Sequence, residues 1–174
     1  MNEKIAKIRQ KIVRLENFFE DIAKEFRKEM KIEYLYFLMI NERTGNFVTK
    51  YSTGKGNICL AKKELNFLVK NENEEIIFPE MEFKSDSRLI VKRTLLTKVK
   101  WKIRLHKVHA LMPLYYNGKM ICLILFRKRS SGHWPNNNYD FAKKIKPEIE
   151  YYLASILLYN QALDGVMKKC MALD

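Results

Sequence analysis

The sequence predicts an α/β domain, in which a sheet lies between a helix at each end of the chain. Apolar residues that recur at intervals of three and four mark the two helices. The strands are predicted by an aromatic-rich apolar run over residues 34–40 and by two further apolar runs that Asn117 and Gly118 separate. At 174 residues, 47% of them hydrophobic, the chain can form one domain with a full core.

The N-terminal helix is predicted over residues 1–30. Its apolar residues follow an unbroken alternation of three and four positions, without glycine or proline, among lysines, arginines and glutamates. This spacing is typical of a helix that pairs with a second copy. Val13 and Phe18 widen the apolar stripe, which gives the helix a side for its own domain as well. The predicted dimer interface, here called the N-terminal seam, consists of Ile5, Ile8, Ile12, Leu15, Phe19 and Ile22.

Residues 31–135 are predicted to hold the sheet. Residues 34–40 are apolar on both faces of a strand, which favours a central strand covered on both sides. The chain then turns and returns as a second strand. Asn117-Gly118 between two apolar arms is typical of a type I′ hairpin turn. Pro113, in the first arm, has no N–H and predicts an edge strand or a bulge.

A basic stretch over residues 84–107 contains nine lysines or arginines and one acid, Asp86, within a chain of net charge +13. Two interpretations are open: the stretch caps a ligand pocket, or it is a solvated surface. Because basic surfaces also suit nucleic acid, a nucleic-acid-binding transcription regulator is an alternative function. Nucleic acid ranks below a small molecule as the partner.

The C-terminal helix is predicted over residues 136–174. One of the asparagines at 136–138 is expected to cap it, and Pro147 is expected to kink it. Its apolar residues again alternate by four and three, which predicts a second dimer interface. This C-terminal seam consists of Ile149, Tyr152, Ile156, Tyr159 and Leu163. Two such helices, entering and leaving one sheet domain, suit a parallel homodimer that relays a signal.

Residues 105–163 resemble the end of a GAF domain, and within them stands the stretch ALMPLYYNGKMICLILFRKRSSGHWPNNNYDFAKKIKPEIEYYLASILLYNQAL. They contain a strand closing in Pro-Leu, an Asn-Gly-Lys hairpin, a strand, a Ser-Gly loop and an exit helix. Pro147 and the basic stretch depart from the family pattern. The resemblance implies a GAF-like (PAS/GAF-type) α/β fold, with a central antiparallel sheet, terminal helices packed on one face and a ligand pocket on the other. It also implies a sensory domain of a bacterial-type signalling protein, not itself an enzyme.

Residues 163–174 resemble the linker that leads into a GGDEF diguanylate cyclase, which implies this output domain in the full-length protein. A histidine kinase is the alternative. The leading candidate ligand is a purine nucleotide, and cyclic nucleotides are among the candidates. The Asn-Lys-Phe-Asp-Glu motif of cyclic-nucleotide GAF domains is absent from the sequence. No cofactor is predicted beyond such a small-molecule effector.

Strand parity places the predicted ligand pocket on one face of the sheet. Tyr36 and Leu38 share a face of their strand, as do Leu123 and Leu125. The basic stretch is expected to fold over this face as a cap. Ligand pockets combine apolar walls with a few polar groups that orient the ligand. The groups expected to do so here are Arg93, Thr94, Thr97, Trp101 and His109.

Other kinds of chemistry have less support in the sequence. Cys59, Cys122 and Cys170 have neither zinc-finger spacing nor the histidine neighbour of bilin-binding members of the resembled family. They are predicted to be reduced and structural. A methionine sulfoxide reductase that uses Cys59 and Cys122 is the third alternative. No catalytic residue and no metal site is predicted. Without an apolar run of about 18 residues or a signal peptide, a cytoplasmic protein is expected.

Overall fold

The computed structural model describes residues 14–61, 110–128 and 136–171. These residues form one five-stranded sheet with the strand order β3-β2-β1-β5-β4, and all neighbouring strands are antiparallel. The α/β fold with a central antiparallel sheet is therefore confirmed. No described helix has the length and apolar character that a membrane span needs. The elements are α1 (Leu15–Met30), β1 (Ile32–Ile40), β2 (Phe47–Ser52), β3 (Cys59–Leu60), β4 (Ala110–Tyr116), β5 (Lys119–Lys128) and α2 (Asn136–Met171).

Strand β1 lies in the middle of the sheet, between β2 and β5, as its two apolar faces predict. Leu35 and Phe37 point to the face that carries both helices. Tyr36 and Leu38 point to the opposite face. All four side chains are buried, since each face of this strand is covered.

The hairpin between β4 and β5 has the predicted turn. Asn117 and Gly118 have φ angles of 49° and 72°, and two successive positive values are the signature of type I′. Among the described residues, Pro113 lies in an edge strand, β4, which is the position where a residue without an N–H is tolerated.

Both helices pack on the same face of the sheet, here called the helix face. The ring of Phe19 stacks on Phe37 at 4.7 Å between centroids, and Phe26 meets Phe126 edge-on at 5.1 Å. From α2, Ala142, Ile149 and Leu153 complete this core. The placement of the terminal helices on one face is therefore confirmed.

This packing corrects part of the predicted dimer interface. Phe19 and Ile149 are each only 1% exposed within the single chain, so neither has surface left for a partner. Leu15 and Ile22 are partly buried against the same core. The described half of the N-terminal seam is thus the stripe by which α1 packs on its own sheet, and Ile5, Ile8 and Ile12 lie outside the described residues.

The C-terminal seam divides into two rows. Ile149, Ile156 and Leu163 are buried or half-buried, whereas Tyr152 and Tyr159 are 58% and 45% exposed. Val166, one heptad further on, is 47% exposed. Helix α2 continues through Pro147, which is exposed. The exposed row at a seven-residue interval is the part of the seam that remains available to another molecule.

Asn138 joins the two helices. It is 7% exposed, and its Nδ2 donates a hydrogen bond to the main-chain oxygen of Met30 at 3.1 Å. Met30 is the last residue of α1, whose final carbonyls have no partner within the helix. Lys31 then reverses the chain into β1 with a left-handed φ of 52°. Of the three asparagines expected to include the cap of α2, Asn138 caps the end of α1 instead.

Candidate functional site

The sheet face opposite the helices, here called the distal face, carries the four apolar residues that parity predicts. Tyr36 lies directly across from Leu125, and Leu38 across from Leu123. These pairs form the centre of one apolar cluster, separate from the core on the helix face. Its members are Tyr36, Leu38, Phe47, Ile58, Leu60, Leu111, Leu123 and Leu125. That these residues contact a ligand stays a prediction.

The centre of the distal face is not open to solvent. Leu38 and Leu123 are fully buried, and Tyr36 and Leu125 are 1% exposed. Burial of this centre is compatible with the predicted cap, and the pocket itself stays a prediction. The basic stretch and the polar residues Arg93, Thr94, Thr97, Trp101 and His109 lie outside the described residues.

One end of the distal face carries an arginine on an aromatic ring. The guanidinium carbon of Arg127 lies 4.9 Å from the ring centroid of Tyr34, within the range of a cation–π contact. Its Nε lies 3.5 Å from Oε2 of Glu33. Arg127 follows Leu125 by two positions and shares its strand face. We call Glu33, Tyr34, Arg127 and the adjoining residues 53–55 the arginine corner.

The loop in the arginine corner is fixed to β1 on both sides. Thr53 accepts a hydrogen bond from the amide of Leu35 at 2.9 Å through Oγ1, and donates its own amide to the Leu35 oxygen at 3.0 Å. The hydroxyl of Tyr36 donates to the main-chain oxygen of Lys55 at 3.3 Å. A Cβ on Gly54 would lie 2.7 Å from Cγ of Tyr34, so only glycine lets the loop approach this ring.

Sequence reasoning missed the arginine corner. The groups predicted to bind an anion all lie in the basic stretch. The signal was nevertheless present, because Leu123, Leu125 and Arg127 alternate along one strand and must share a face. The ring contact with Tyr34 could not be found in this way, since it depends on the register between β1 and β5.

A polar contact connects the sheet to α2 on the other side. The strand register shifts between Leu114 and Tyr115, and the amide of Tyr115 donates to Oε1 of Glu150 at 2.8 Å. The same carboxylate oxygen lies 2.8 Å from Nζ of Lys146, one helical turn earlier. Both charged side chains are mostly buried, at 12% exposure for Lys146 and 20% for Glu150. A shift of β4 would therefore act on α2 directly.

The described cysteines are poorly placed for chemistry on the distal face. Cys122 is fully buried in the core of the helix face, and burial raises the pKa of its thiol far above the ordinary value. Cys59 is exposed on β3, and it alternates with Leu60, which points to the distal face. A paired attack on a sulfoxide therefore has no support, because Cys122 is neither accessible nor readily ionised.

A search of solved structures finds several with the same arrangement. The GAF domain/HD domain protein from Geobacter sulfurreducens superposes with a TM-score of 0.59 and 13% identity, covering 86% of this chain and 98% of that one. A domain of a putative two-component sensor histidine kinase protein from Sinorhizobium meliloti 1021 gives 0.53 and 15%, covering 83% and 93%. No protein-family model and no curated protein sequence matches the chain.

The chain has the GAF fold. At these identities the similarity establishes the fold and leaves the ligand undetermined. A third structure is the chromophore binding domain of Stigmatella aurantiaca phytochrome P1, with a TM-score of 0.55 and 9% identity, covering 86% of this chain and 57% of that one. The expectation that such a domain has no cofactor is therefore wrong. In the described part of this chain neither Cys59 nor Cys122 faces the distal cluster, so a chromophore attached there through cysteine does not fit these residues.

Proposed function

We propose that this GAF domain is the sensory part of a cytoplasmic signalling protein and is not itself an enzyme. A small molecule binds against the distal face, and its binding changes the position of α2. The observation that carries the proposal is the division of the sheet. Both described helices pack on one face, while the other face holds a separate apolar cluster with the arginine corner at its end.

The binding site in this proposal lies on the distal face, and the basic stretch over residues 84–107 is its proposed cap. The helix face is already occupied by α1 and α2, which supports a ligand site on the opposite side of the sheet. The four residues at the centre of the distal cluster are the proposed apolar wall of this site.

The route of the signal follows from the contacts of β4 and β5. Leu123 and Leu125 of β5 point to the distal face, while Ile124 between them points to the helix face. A shift of this strand therefore moves side chains on both faces. Next to it, the bond from Tyr115 to Glu150 joins β4 to α2. We propose that these contacts transmit ligand binding to the helix.

A thermal-unfolding screen tests ligand binding. The compounds should include nucleotides, cyclic nucleotides, tetrapyrrole chromophores and small carboxylates. A ligand at 100 times its Kd stabilises the folded state by about 2.7 kcal/mol, which raises Tm by roughly 5–11 °C for a chain of this size.

Two matched substitutions locate the site. Leu123→Met changes the distal face, and Leu153→Met changes the helix face at an equally buried position. Either change should cost less than about 1.5 kcal/mol in stability. We expect the ligand-dependent rise in Tm to fall in Leu123→Met and to persist in Leu153→Met. The reverse pattern would place the site on the helix face and contradict the proposal.

The proposal includes a homodimer formed through α2. Tyr152, Tyr159 and Val166 form an exposed row at heptad spacing, and burying such a row is a reason for two parallel helices to pair. Replacing Tyr152 and Tyr159 together by lysine should give a monomer in analytical ultracentrifugation. Tyr151→Lys is the control, because Tyr151 is more exposed, at 69%, and lies beside the row. A monomeric unmodified chain at high micromolar concentration would contradict this part of the proposal.

More specifically, we propose that the ligand is a nucleotide and that the output domain is a diguanylate cyclase. A histidine kinase is the alternative output domain. Support for the cyclase is the resemblance of residues 163–174 to a GGDEF linker. Fusing residues 1–174 to a diguanylate cyclase domain tests the direction and size of regulation. The expected result is a change in cyclase rate on addition of whichever compound stabilises the isolated domain. An unchanged rate would reject the cyclase assignment while leaving ligand binding intact.

A further inference from the structure

The guanidinium of Arg127 has hydrogen-bonding capacity that the described chain does not use. Arginine has five N–H donors. Its Nε is buried and has no hydrogen-bond partner, and the contacts of the guanidinium with described residues are the ring of Tyr34 and the Glu33 carboxylate, 3.5 Å from Nε. A buried N–H without an acceptor is costly, because it has lost water without gaining a hydrogen bond in exchange.

The arginine is also held in place before any ligand arrives. Tyr34 supports the guanidinium on one side, and the close approach of Gly54 limits the movement of that ring. The loop that carries Gly54 is bonded to β1 through Thr53. An arginine fixed in this way loses less conformational entropy when it binds an acceptor than a mobile surface arginine does.

We propose that Arg127 binds an anionic oxygen group, a carboxylate or a phosphate, at the end of the distal face. This inference rests on the proposed ligand site and assigns its charged end. Both groups can offer two oxygens to the planar guanidinium. Arg127 is 25% exposed, so the incoming group can reach it while water screens the contact less than at a fully exposed site.

Glu33 has a defined part in this proposal, because its carboxylate competes with the ligand for the same charge. The two changes that remove one charge from the corner should therefore act in opposite directions. Arg127→Gln should weaken anion binding by about tenfold or more. Glu33→Gln should strengthen it by about two- to fivefold. A structural ion pair that takes no part in binding would give no such pair of opposite effects.

The experiment is an NMR titration of the full chain with phenyl phosphate and, separately, with benzoate, at constant ionic strength set with sodium chloride. The readout is the Nε–Hε resonance of Arg127 in the unmodified protein, so this measurement does not depend on whether a variant folds. Saturable movement with either probe supports the proposal, and a response to one alone identifies the group preferred. Affinities for the variants come from backbone amides in β1 and β5. Arg43→Gln is the matched control, since Arg43 is exposed in the turn at the far end of β1.

Two results would overturn the inference. One is an Arg127 resonance that moves no more with either probe than with chloride. The other is binding that is unchanged in Arg127→Gln, or weakened in Glu33→Gln, in folded protein. If a compound from the thermal screen still shifts the distal leucines while Arg127 stays unmoved, the proposed sensory function stands and only the anion site fails.

Discussion

The substitution Asn138→Asp tests the joint between the helices. Asn138 is almost fully buried, and its Nδ2 donates to Met30 O at 3.1 Å. A carboxylate of the same shape places an acceptor against that carbonyl. Loss of the hydrogen bond with both groups still buried costs about 1–3 kcal/mol. The opposing effect is a negative charge in the first turn of α2, which contributes about 0.3–1 kcal/mol. Destabilisation therefore wins, and Tm should fall by roughly 2–8 °C.

The effect should depend on pH in a definite direction. Burial and the facing carbonyl raise the pKa of the introduced carboxyl above its ordinary value of about 3.9. A group whose pKa is raised in the folded state favours folding when it is protonated. The loss of stability is therefore small below about pH 4 and grows as pH rises through the folded-state pKa. The protonated carboxyl can also donate to Met30 O, as the amide does.

Thermal unfolding at pH 4, 5.5 and 7, followed by circular dichroism, measures this difference against the unmodified chain. Asn137→Asp is the control, because Asn137 is exposed in the same helical turn as Asn138. A carboxylate at 137 gains the favourable position near the start of α2 without being buried. We expect the control to be as stable as the unmodified chain or slightly more so. Equal stability of the two variants at every pH would refute the assignment of Asn138 as the cap of α1.

Three further changes test other parts of the structure. Glu150→Ala leaves the amide of Tyr115 without its acceptor and Lys146 without its carboxylate partner, and it should cost about 1–3 kcal/mol or more in urea unfolding; an equal loss in exposed Glu148→Ala would show that these two contacts contribute nothing. Gly118→Ala forces a side chain to φ 72° and should cost about 1–2 kcal/mol, so an unchanged unfolding midpoint would contradict the type I′ turn. With the other cysteines replaced by serine, Cys122 should react with a thiol reagent only as fast as the chain unfolds, and prompt reaction would disprove its burial.

Local signals in the sequence were sufficient for β1 and for the hairpin between β4 and β5. The apolar run in β1 reflects burial on both faces, and the Asn-Gly pair fixes its turn through backbone geometry alone. Strand parity also places Tyr36 with Leu38 on one face of β1, and Leu123 with Leu125 on one face of β5. These features depend on residues near each other in the chain or on a period of two. The register that sets Tyr36 across from Leu125 is a result of the structure.

The helices show where such reasoning ends. Spacing by three and four describes a helix that packs on another helix and equally one that packs on a sheet, so it could not assign Phe19 and Ile149 to their own core. One of the three asparagines at 136–138 was expected to cap α2, but Asn138 bonds to Met30, which lies 108 positions earlier. Contacts of this kind are set by how the elements pack, which no local pattern contains.

The most direct test of the central claim is methyl NMR on leucine-labelled protein with a compound that stabilises the domain. Leucines report on both faces of the same sheet at similar burial. We predict saturable shifts that are first and largest on the distal face, with smaller changes on the helix face. The two sets are Leu38, Leu111, Leu123 and Leu125 against Leu35, Leu114 and Leu153. Shifts confined to the second set would contradict a ligand site on the distal face.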